Sequence, residues 1–334
     1  MKNGSFRNVY LSKKKMNIGF LYTKSELTPW KENVNEQTLS FLQEQAPDHI
    51  NSDIVHFDGF TAAMANKLSQ YDLIFNLCYG YIEAGQVEVA GWLEQHAIPH
   101  TASRYHALSI AQNKALLPEI CTDLGLNTPG TTSQLDVLER DKLYVAKPRL
   151  GSCHRNIYIN TGAWLQENHL HIADDSIFQP YIFGREFSVA IIPAPGGRFY
   201  HGLPPVEIYP VDEKSIYIAG QNYGPTKREY NPILKESISD ELVAAAELLH
   251  KQMGLCGMSR TDFRVSTEGQ IYVLDVNAMP NLDPVKSLMP GICHYHGIQM
   301  KDLIQRVLDN ATWIKSEANK AKQQDGFQLY SLAK

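Results

Sequence analysis

The chain has 334 residues, 43% of them hydrophobic and 20% charged, the composition of a folded protein rather than a disordered one. Its 31 basic and 36 acidic residues give a net charge of −5, so bulk charge points to neither a nucleic acid nor a membrane surface as partner. The length favours two or three compact units, and no apolar run approaches the ~18 residues of a spanning helix.

Residues 1–15 are polar, end in Lys13-Lys14-Lys15 and lack the apolar segment of a secretory signal, so a loose extension is expected. Strands are then predicted at 16–22, 53–57 and 71–77, with helices at 37–45 and 86–95. Strands alternating with helices imply a parallel sheet covered on both faces, closing near residue 103. A helix over 111–124 follows, marked at its end by Gly125. Strands are expected at 143–147, 157–159, 177–182 and 186–192, punctuated by Pro148 and Gly184. Residues 204–232 are rich in Pro, Gly and Tyr and show little periodicity, the pattern of a lid or binding loop. A helix at 240–253, a hairpin and a last helix at 300–308 complete the pattern, and the tail beyond Ile314 is polar. The five cysteines (Cys78, Cys121, Cys153, Cys256, Cys293) are odd in number and form no CxxC, which suits a reducing cytoplasm.

The most informative stretch is 260–277. Two alternating apolar runs flank Glu268-Gly269, a predicted hairpin turn. A two-residue loop puts Asp262 opposite Asp275 and Arg260 opposite Asn277, on one face, with Cβ atoms roughly 4.5–5.5 Å apart. Two carboxylates at about 4 Å and an effective dielectric near 20 repel by about 4 kcal/mol, so they share a proton or hold a cation. Two carboxylates and an amide are hard oxygen donors, suited to Mg²⁺ rather than zinc. A surface hairpin with scattered charges is the competing reading, and a bulge would break the register. Lys147, at a strand end before Pro148 and the Gly151-Ser152 loop, is placed to reach a phosphate, although strand-end lysines are common. Lys114 and Glu186 are equally ambiguous alone. Cys153, His154 and Arg155 are adjacent in an extended segment and point apart, which argues against a nucleophile–base pair.

The ordered set of these features resembles the ATP-grasp enzymes, and within them the D-alanine–D-alanine ligase branch. The resemblance is carried by Arg260-Thr-Asp-Phe263, Asp275-Val-Asn-Ala-Met-Pro280 and Phe183-Gly-Arg-Glu-Phe187. Asn113-Lys114, Ala146-Lys-Pro148, Gly151-Ser152 and Lys286-Ser-Leu-Met-Pro290 support it. It implies an α/β chain, α+β in its C-terminal half, of three domains: 16–103, 104–183 and 184–314, with loose termini at 1–15 and 315–334. ATP would lie between the second and third. Lys114 and Lys147 would contact its phosphates; Gln179, Tyr181 and Ile182 would frame the adenine, with Leu274 beneath it and Glu186 at the ribose. Asp262, Asp275 and Asn277 match the ligands of two Mg²⁺ ions, with Mn²⁺ an acceptable replacement. Arg260 and Ser152 would be catalytic, Arg260 on the tetrahedral intermediate. Ser287 and Leu288 match the clamp on an acceptor's carboxylate, and Glu26 retains a place at the first substrate's ammonium. The implied activity is ADP-forming ligation of a carboxylate to an amine through an acyl phosphate, in the cytoplasm, by a homodimer. Nucleic acid and membrane partners are not implied.

Departures cluster where the first substrate would sit. Cys78-Tyr-Gly-Tyr-Ile-Glu83 replaces a His-Gly motif, Tyr22-Thr-Lys-Ser-Glu-Leu27 replaces a Gly-Gly-x-Ser-x-Glu motif, Arg155 stands near an expected glycine, and Asn281 follows the Met-Pro pair. A kept nucleotide half and an altered donor half imply a ligase with another carboxylate donor and an α-amino acid acceptor. A true D-alanine–D-alanine ligase, a non-catalytic nucleotide-binding protein and an ATP-grasp phosphotransferase are the alternatives.

Overall fold

The computed structural model describes residues 15–24, 34–80, 85–151, 156–172, 174–210, 226–230 and 232–331. The expectations for residues 1–14, Glu26, Tyr81–Ala84, Ser152–Arg155 and 211–225 lie outside them.

The first sheet holds β1 (Met16–Tyr22), β2 (Ile50–His56) and β3 (Leu73–Asn76), parallel and in the order β2-β1-β3. The near-continuous apolar run of β1 suits a central strand covered on both sides. Helices α1 (Glu36–Glu44), α2 (Ala62–Leu68) and α3 (Gln86–Gln95) connect and cover it. Asn35 and Thr61 start α1 and α2 by accepting hydrogen bonds from the Thr38 and Met64 amides.

The helix expected over 111–124 is two helices, α4 (Tyr105–Gln112) and α5 (Leu117–Asp123). Asn113 leaves helical geometry with ψ 93°, and Pro118 in the first turn of α5 has no amide to continue a ladder. The break lets the Lys114 amide donate to the Arg149 carbonyl at 3.0 Å, which holds Lys114 against the strand that ends in Lys147. That strand, β4 (Leu143–Pro148), is the middle of an antiparallel sheet with β5 (Tyr158–Thr161) and β6 (Ser176–Pro180). Helix α6 (Gly162–Glu167) packs on it through Leu165.

The third sheet runs in the order β10-β9-β7-β11-β12, with β8 beside β7. Its strands are β7 (Gly184–Pro193), β8 (Tyr200–Gly202), β9 (Val206–Pro210), β10 (Thr226–Glu229), β11 (Ser259–Ser266) and β12 (Ile271–Asn277), all antiparallel. The stretch 204–232, expected to be irregular, thus contributes two strands. Val206 joins the core, and Glu207 is held by the Arg185 guanidinium at 2.6 and 2.8 Å. Helices α7 (Glu236–Gln252) and α9 (Met300–Ser331) cover one face, burying Leu242, Leu249, Ile304 and Val307 with Phe187, Phe263 and Val273. The short helix α8 (Leu288–Tyr295) precedes α9. The last helix, expected to end at Leu308, continues to Ser331, so 315–331 is helical rather than loose. Its Ala, Lys, Gln and Glu residues are strong helix formers, and no proline interrupts them.

Candidate active site

Alternation along β11 divides its side chains into two sets. Ser259, Thr261, Phe263 and Val265 are buried in the core, which turns Arg260, Asp262 and Arg264 to the other face. The neighbouring strands extend that face. Asp262 pairs with Ser188 of β7 and Asp275 of β12, Arg260 with Ala190 and Asn277, and Arg264 with Glu186 and Tyr272.

The pairing of Asp262 with Asp275 is the one expected, but it is reached differently. The turn is a three-residue loop, Thr267-Glu268-Gly269, closed by the Ser266 amide on the Gln270 carbonyl at 2.8 Å. Gly269 supplies the left-handed residue that such a loop needs, at φ 86°. This moves the register by one from that of a two-residue turn. A bulge at Leu274 moves it back, because Phe263 opposes Val273 while Asp262 opposes Asp275. The bulge allows Val273 and Val276 both to enter the core and leaves Leu274 and Asp275 together between them, half-buried. The Leu274 carbonyl accepts the Lys147 Nζ at 3.0 Å.

Lys147 therefore crosses from the second sheet to the third, and Lys114 approaches the same place from the link between α4 and α5. Lys147 is buried, and burial pushes its ammonium down to about 8 against the pull of Asp275. Lys114 donates from Nζ to the Gly151 carbonyl at 2.6 Å and lies 3.9 Å from Asp275 Oδ1. Arg260 grips Asp262 with a two-point fork, Nε to Oδ1 and Nη2 to Oδ2, both 2.9 Å. Burial works against the Arg260 charge, but Asp262, and beyond it Asp275 and Glu186, hold its pKa above the usual value. Ser188 Oγ also donates to Asp262 Oδ1, at 2.5 Å. Burial lifts the Glu186 carboxyl above the usual carboxylate range, although Arg264 donates to its Oε2 at 2.7 Å.

The remaining expected residues divide into three groups. Gln179 is buried and spends an amide hydrogen on Thr131 Oγ1 at 2.9 Å; Tyr181 OH accepts from Arg264 at 3.2 Å, and Ile182 follows it, half-buried. Ser287 and Leu288 stand on a different element, at the N-terminus of α8. Arg228 of β10 holds them there by donating to the carbonyls of Ser287, at 3.2 Å, and Lys286. Ser152 and Glu26 lie outside the described residues.

Sequence reasoning missed Ser188, Arg264 and Arg228. Arg264 continues the i, i+2 series of Arg260 and Asp262, and Ser188 follows Glu186 at the same spacing, so strand alternation alone could have found both. Arg228 reaches a backbone almost sixty residues away, and no local pattern marks it.

The donor set fits a hard divalent cation. Asp262 and Asp275 are register partners on adjacent strands, and Asn277 lies two residues beyond Asp275. No cluster of three or more His, Cys, Asp or Glu suited to a metal occurs among the described residues. The candidate site is thus two carboxylates and an amide oxygen, which favours magnesium-like ions over zinc.

A model of the D-ala D-ala ligase C-terminus matches residues 167–309. The D-alanine–D-alanine ligase of Aquifex aeolicus is 31% identical over 248 residues, covering 71% of this chain and 81% of the relative. That of Anaeromyxobacter sp. (strain K) is 30% identical over 275 residues, covering 78% and 86%. The crystal structure of the Bacillus anthracis D-alanine–D-alanine ligase complexed with ATP superposes with a TM-score of 0.73 at 18% identity, over 92% of this chain and 100% of that one. A parallel N-terminal sheet followed by two antiparallel sheets, with Lys147 of one bonded to the Leu274 carbonyl of the other, is the architecture of an ATP-grasp ligase. The chain belongs to the D-alanine–D-alanine ligase family. It is an ATP-dependent carboxylate–amine ligase that forms a peptide bond.

Proposed function

We propose that the enzyme activates a carboxylate other than D-alanine's as an acyl phosphate and passes it to the amino group of an α-amino acid. The observation that carries the phosphoryl and acyl-transfer chemistry is the junction of Lys147 with the Leu274 carbonyl and of Lys114 with Asp275, beside the Arg260–Asp262 fork. It gathers cationic donors, hard oxygen donors and a fixed guanidinium at one seam.

In this reading the chain has three units, 16–103, 104–183 and 184–314, and ATP lies between the last two. Lys114 and Lys147 hold the phosphates. Gln179, Tyr181 and Ile182 line the base, Leu274 packs beneath it, and Glu186 takes the ribose. Asp262, Asp275 and Asn277 would hold Mg²⁺, two ions in the full reading, which would supply charge neutralisation at the phosphoryl oxygens. The donor carboxylate attacks the γ-phosphorus and the β–γ bridging bond breaks, leaving ADP. The acceptor amine then attacks the acyl carbon, loses a proton, and phosphate departs. Arg260 presents fixed donors to the oxyanion formed in that second step. Ser287 and the Leu288 amide, at the positive end of α8, take the acceptor's carboxylate. Ser152 is assigned a catalytic role beside Arg260 and Glu26 the first substrate's ammonium, the reaction belongs in the cytoplasm, and the working form is a dimer.

The donor assignment comes from the residues just after β3. Cys78 and Tyr79, which open the Cys78–Glu83 stretch set against the branch's His-Gly motif, are buried, and the Cys78 thiol donates to the Leu21 carbonyl at 3.7 Å. Burial pushes that thiol well above its usual pKa, so it acts as packing and not as a base. Identity near 30% to D-alanine–D-alanine ligases favours the second reading, in which the donor is D-alanine itself. An ADP-release screen across amino acids and amino-acid-derived carboxylates, with hydroxylamine to trap the acyl phosphate, decides between them. Fastest turnover with D-alanine alone selects the second reading, and no turnover with any amino-acid acceptor removes the acceptor assignment.

A further inference from the structure

Arg264 lies on the face of β11 that carries Arg260 and Asp262, turned to the seam, or cleft, where Lys147 and Lys114 meet Leu274 and Asp275, and neither the sequence pattern nor the proposed chemistry gives it a task. It is nevertheless bound to the residues proposed for the nucleotide. Its Nη2 donates to Glu186 Oε2 at 2.7 Å, and its Nη1 donates to Tyr181 OH at 3.2 Å. The guanidinium carbon lies 5.2 Å from the centre of the Tyr181 ring. The same Nη1 is 3.5 Å from the Gly184 carbonyl. Residues 181–184 are the link from β6 to β7, hence between the two sheets that border the cleft. Gly184 has φ 149°, and a β-carbon there would collide with the Val265 carbonyl, so this link lies directly on β11. Arg264 fastens the link at Tyr181 and Gly184 and β7 at Glu186, three points in all, and only 7% of its own surface is exposed.

We infer that Arg264 is a positioning residue of the nucleotide site: its fork fixes the Glu186 carboxylate and the Tyr181 ring in the places that the ribose and the base require. A planar guanidinium does this where an ammonium would not, because its donors diverge at fixed angles and its face covers a ring. With Oε2 engaged by Arg264, Oε1 of Glu186 remains as the acceptor for a ribose hydroxyl. The inference rests on the nucleotide reading above. It adds that discrimination between ribonucleotide and deoxyribonucleotide passes through a residue that need not touch the sugar.

The test compares ATP with 2′-deoxy-ATP and 3′-deoxy-ATP in the full chain, as kcat/KM or as binding affinity. The wild-type protein should prefer ATP over at least one analogue by about tenfold, the scale of one hydrogen bond to a charged acceptor. Arg264→Gln should bring that ratio close to one while kcat at saturating ATP changes less than KM. Arg264→Lys, which keeps the charge and loses the fork, should fall between. A ratio in Arg264→Gln equal to that of the wild type overturns the inference, since a merely structural arginine would alter both nucleotides equally. Wild-type protein that uses ATP without any preference over both analogues also overturns it. Failure to bind ATP at all would instead sink the nucleotide reading. Should Arg264→Gln not fold, Tyr181→Phe removes one of the three points at the cleft: a reduced ratio supports the inference and an unchanged one refutes it.

Discussion

The two faces of β11 are made of the same eight residues and do opposite work. Ser259, Thr261, Phe263 and Val265 point into the core under α7 and α9, where packing decides their worth. Arg260, Asp262 and Arg264 point into the cleft, where each is tied to a partner of opposite charge and where Asp262 and Asp275 stand side by side. The first set contributes stability. The second holds like charges together at a cost to stability, a cost that a bound cation and nucleotide would offset. The difference teaches that one strand can separate folding from chemistry by residue parity, so substitutions one position apart should fail in different assays.

The largest separation is expected between Phe263 and Arg260. Phe263→Ala should lower unfolding free energy by about 3–5 kcal/mol, since a fully buried aromatic leaves a cavity. Urea unfolding would measure it, and the fraction that stays folded should keep the wild-type KM for ATP. Arg260→Gln should do the reverse. Asp262 keeps its Ser188 partner but loses its ion pair, so the unfolding midpoint should fall less than in Phe263→Ala, while kcat should fall roughly 10²–10³-fold with the loss of oxyanion donors. A KM increase for ATP with kcat preserved would place Arg260 in binding alone. A large stability loss in Arg260→Gln would show that parity does not separate the two roles.

Parity is also why so much of this region was legible in the sequence. A period of two in 260–265 and 271–277 was sufficient to place Arg260, Asp262, Asp275 and Asn277 on one face, and the ordered motifs around Lys114, Lys147 and Glu186 singled out residues that the fold brings to the same seam. What escaped was geometry that breaks a period. The bulge at Leu274 and the three-residue turn cancel one another, so the expected pairing was right while the expected turn was not. The gap between α4 and α5 was marked locally by Pro118, which can open a helix but not continue one, whereas the contact it permits, Lys114 with Arg149 thirty-five residues away, is encoded by no local propensity. Strands β9 and β10 are short and lie among prolines and glycines, and they gain their order from pairing with each other and with β7. The run through Ser331 was readable from its composition, but a polar helix without an apolar stripe resembles a tail.

The smallest effect sharpens the comparison from the core side, because that face is not wholly apolar. Ser259 meets His250 of α7, with the imidazole Nδ1 2.7 Å from Oγ and the Tyr200 ring 4.2 Å from its centre. Burial alone pushes the His250 pKa down to about 4, from a usual value near 6.5. Between those values the unfolded chain binds a proton that the folded one refuses, so stability is complete above about pH 6.5 and falls as pH drops toward 4. The span corresponds to about 3 kcal/mol across the window, because each unit of separation is worth about 1.4 kcal/mol. Urea midpoints at pH 7, 6, 5 and 4.5 should trace the decline, and His250→Met, of similar bulk and without a titrating group, should flatten it even if its plateau is lower. A slope as steep in the variant as in the wild type would move the acid sensitivity to the cleft carboxylates, and the core face of β11 would then contribute packing alone.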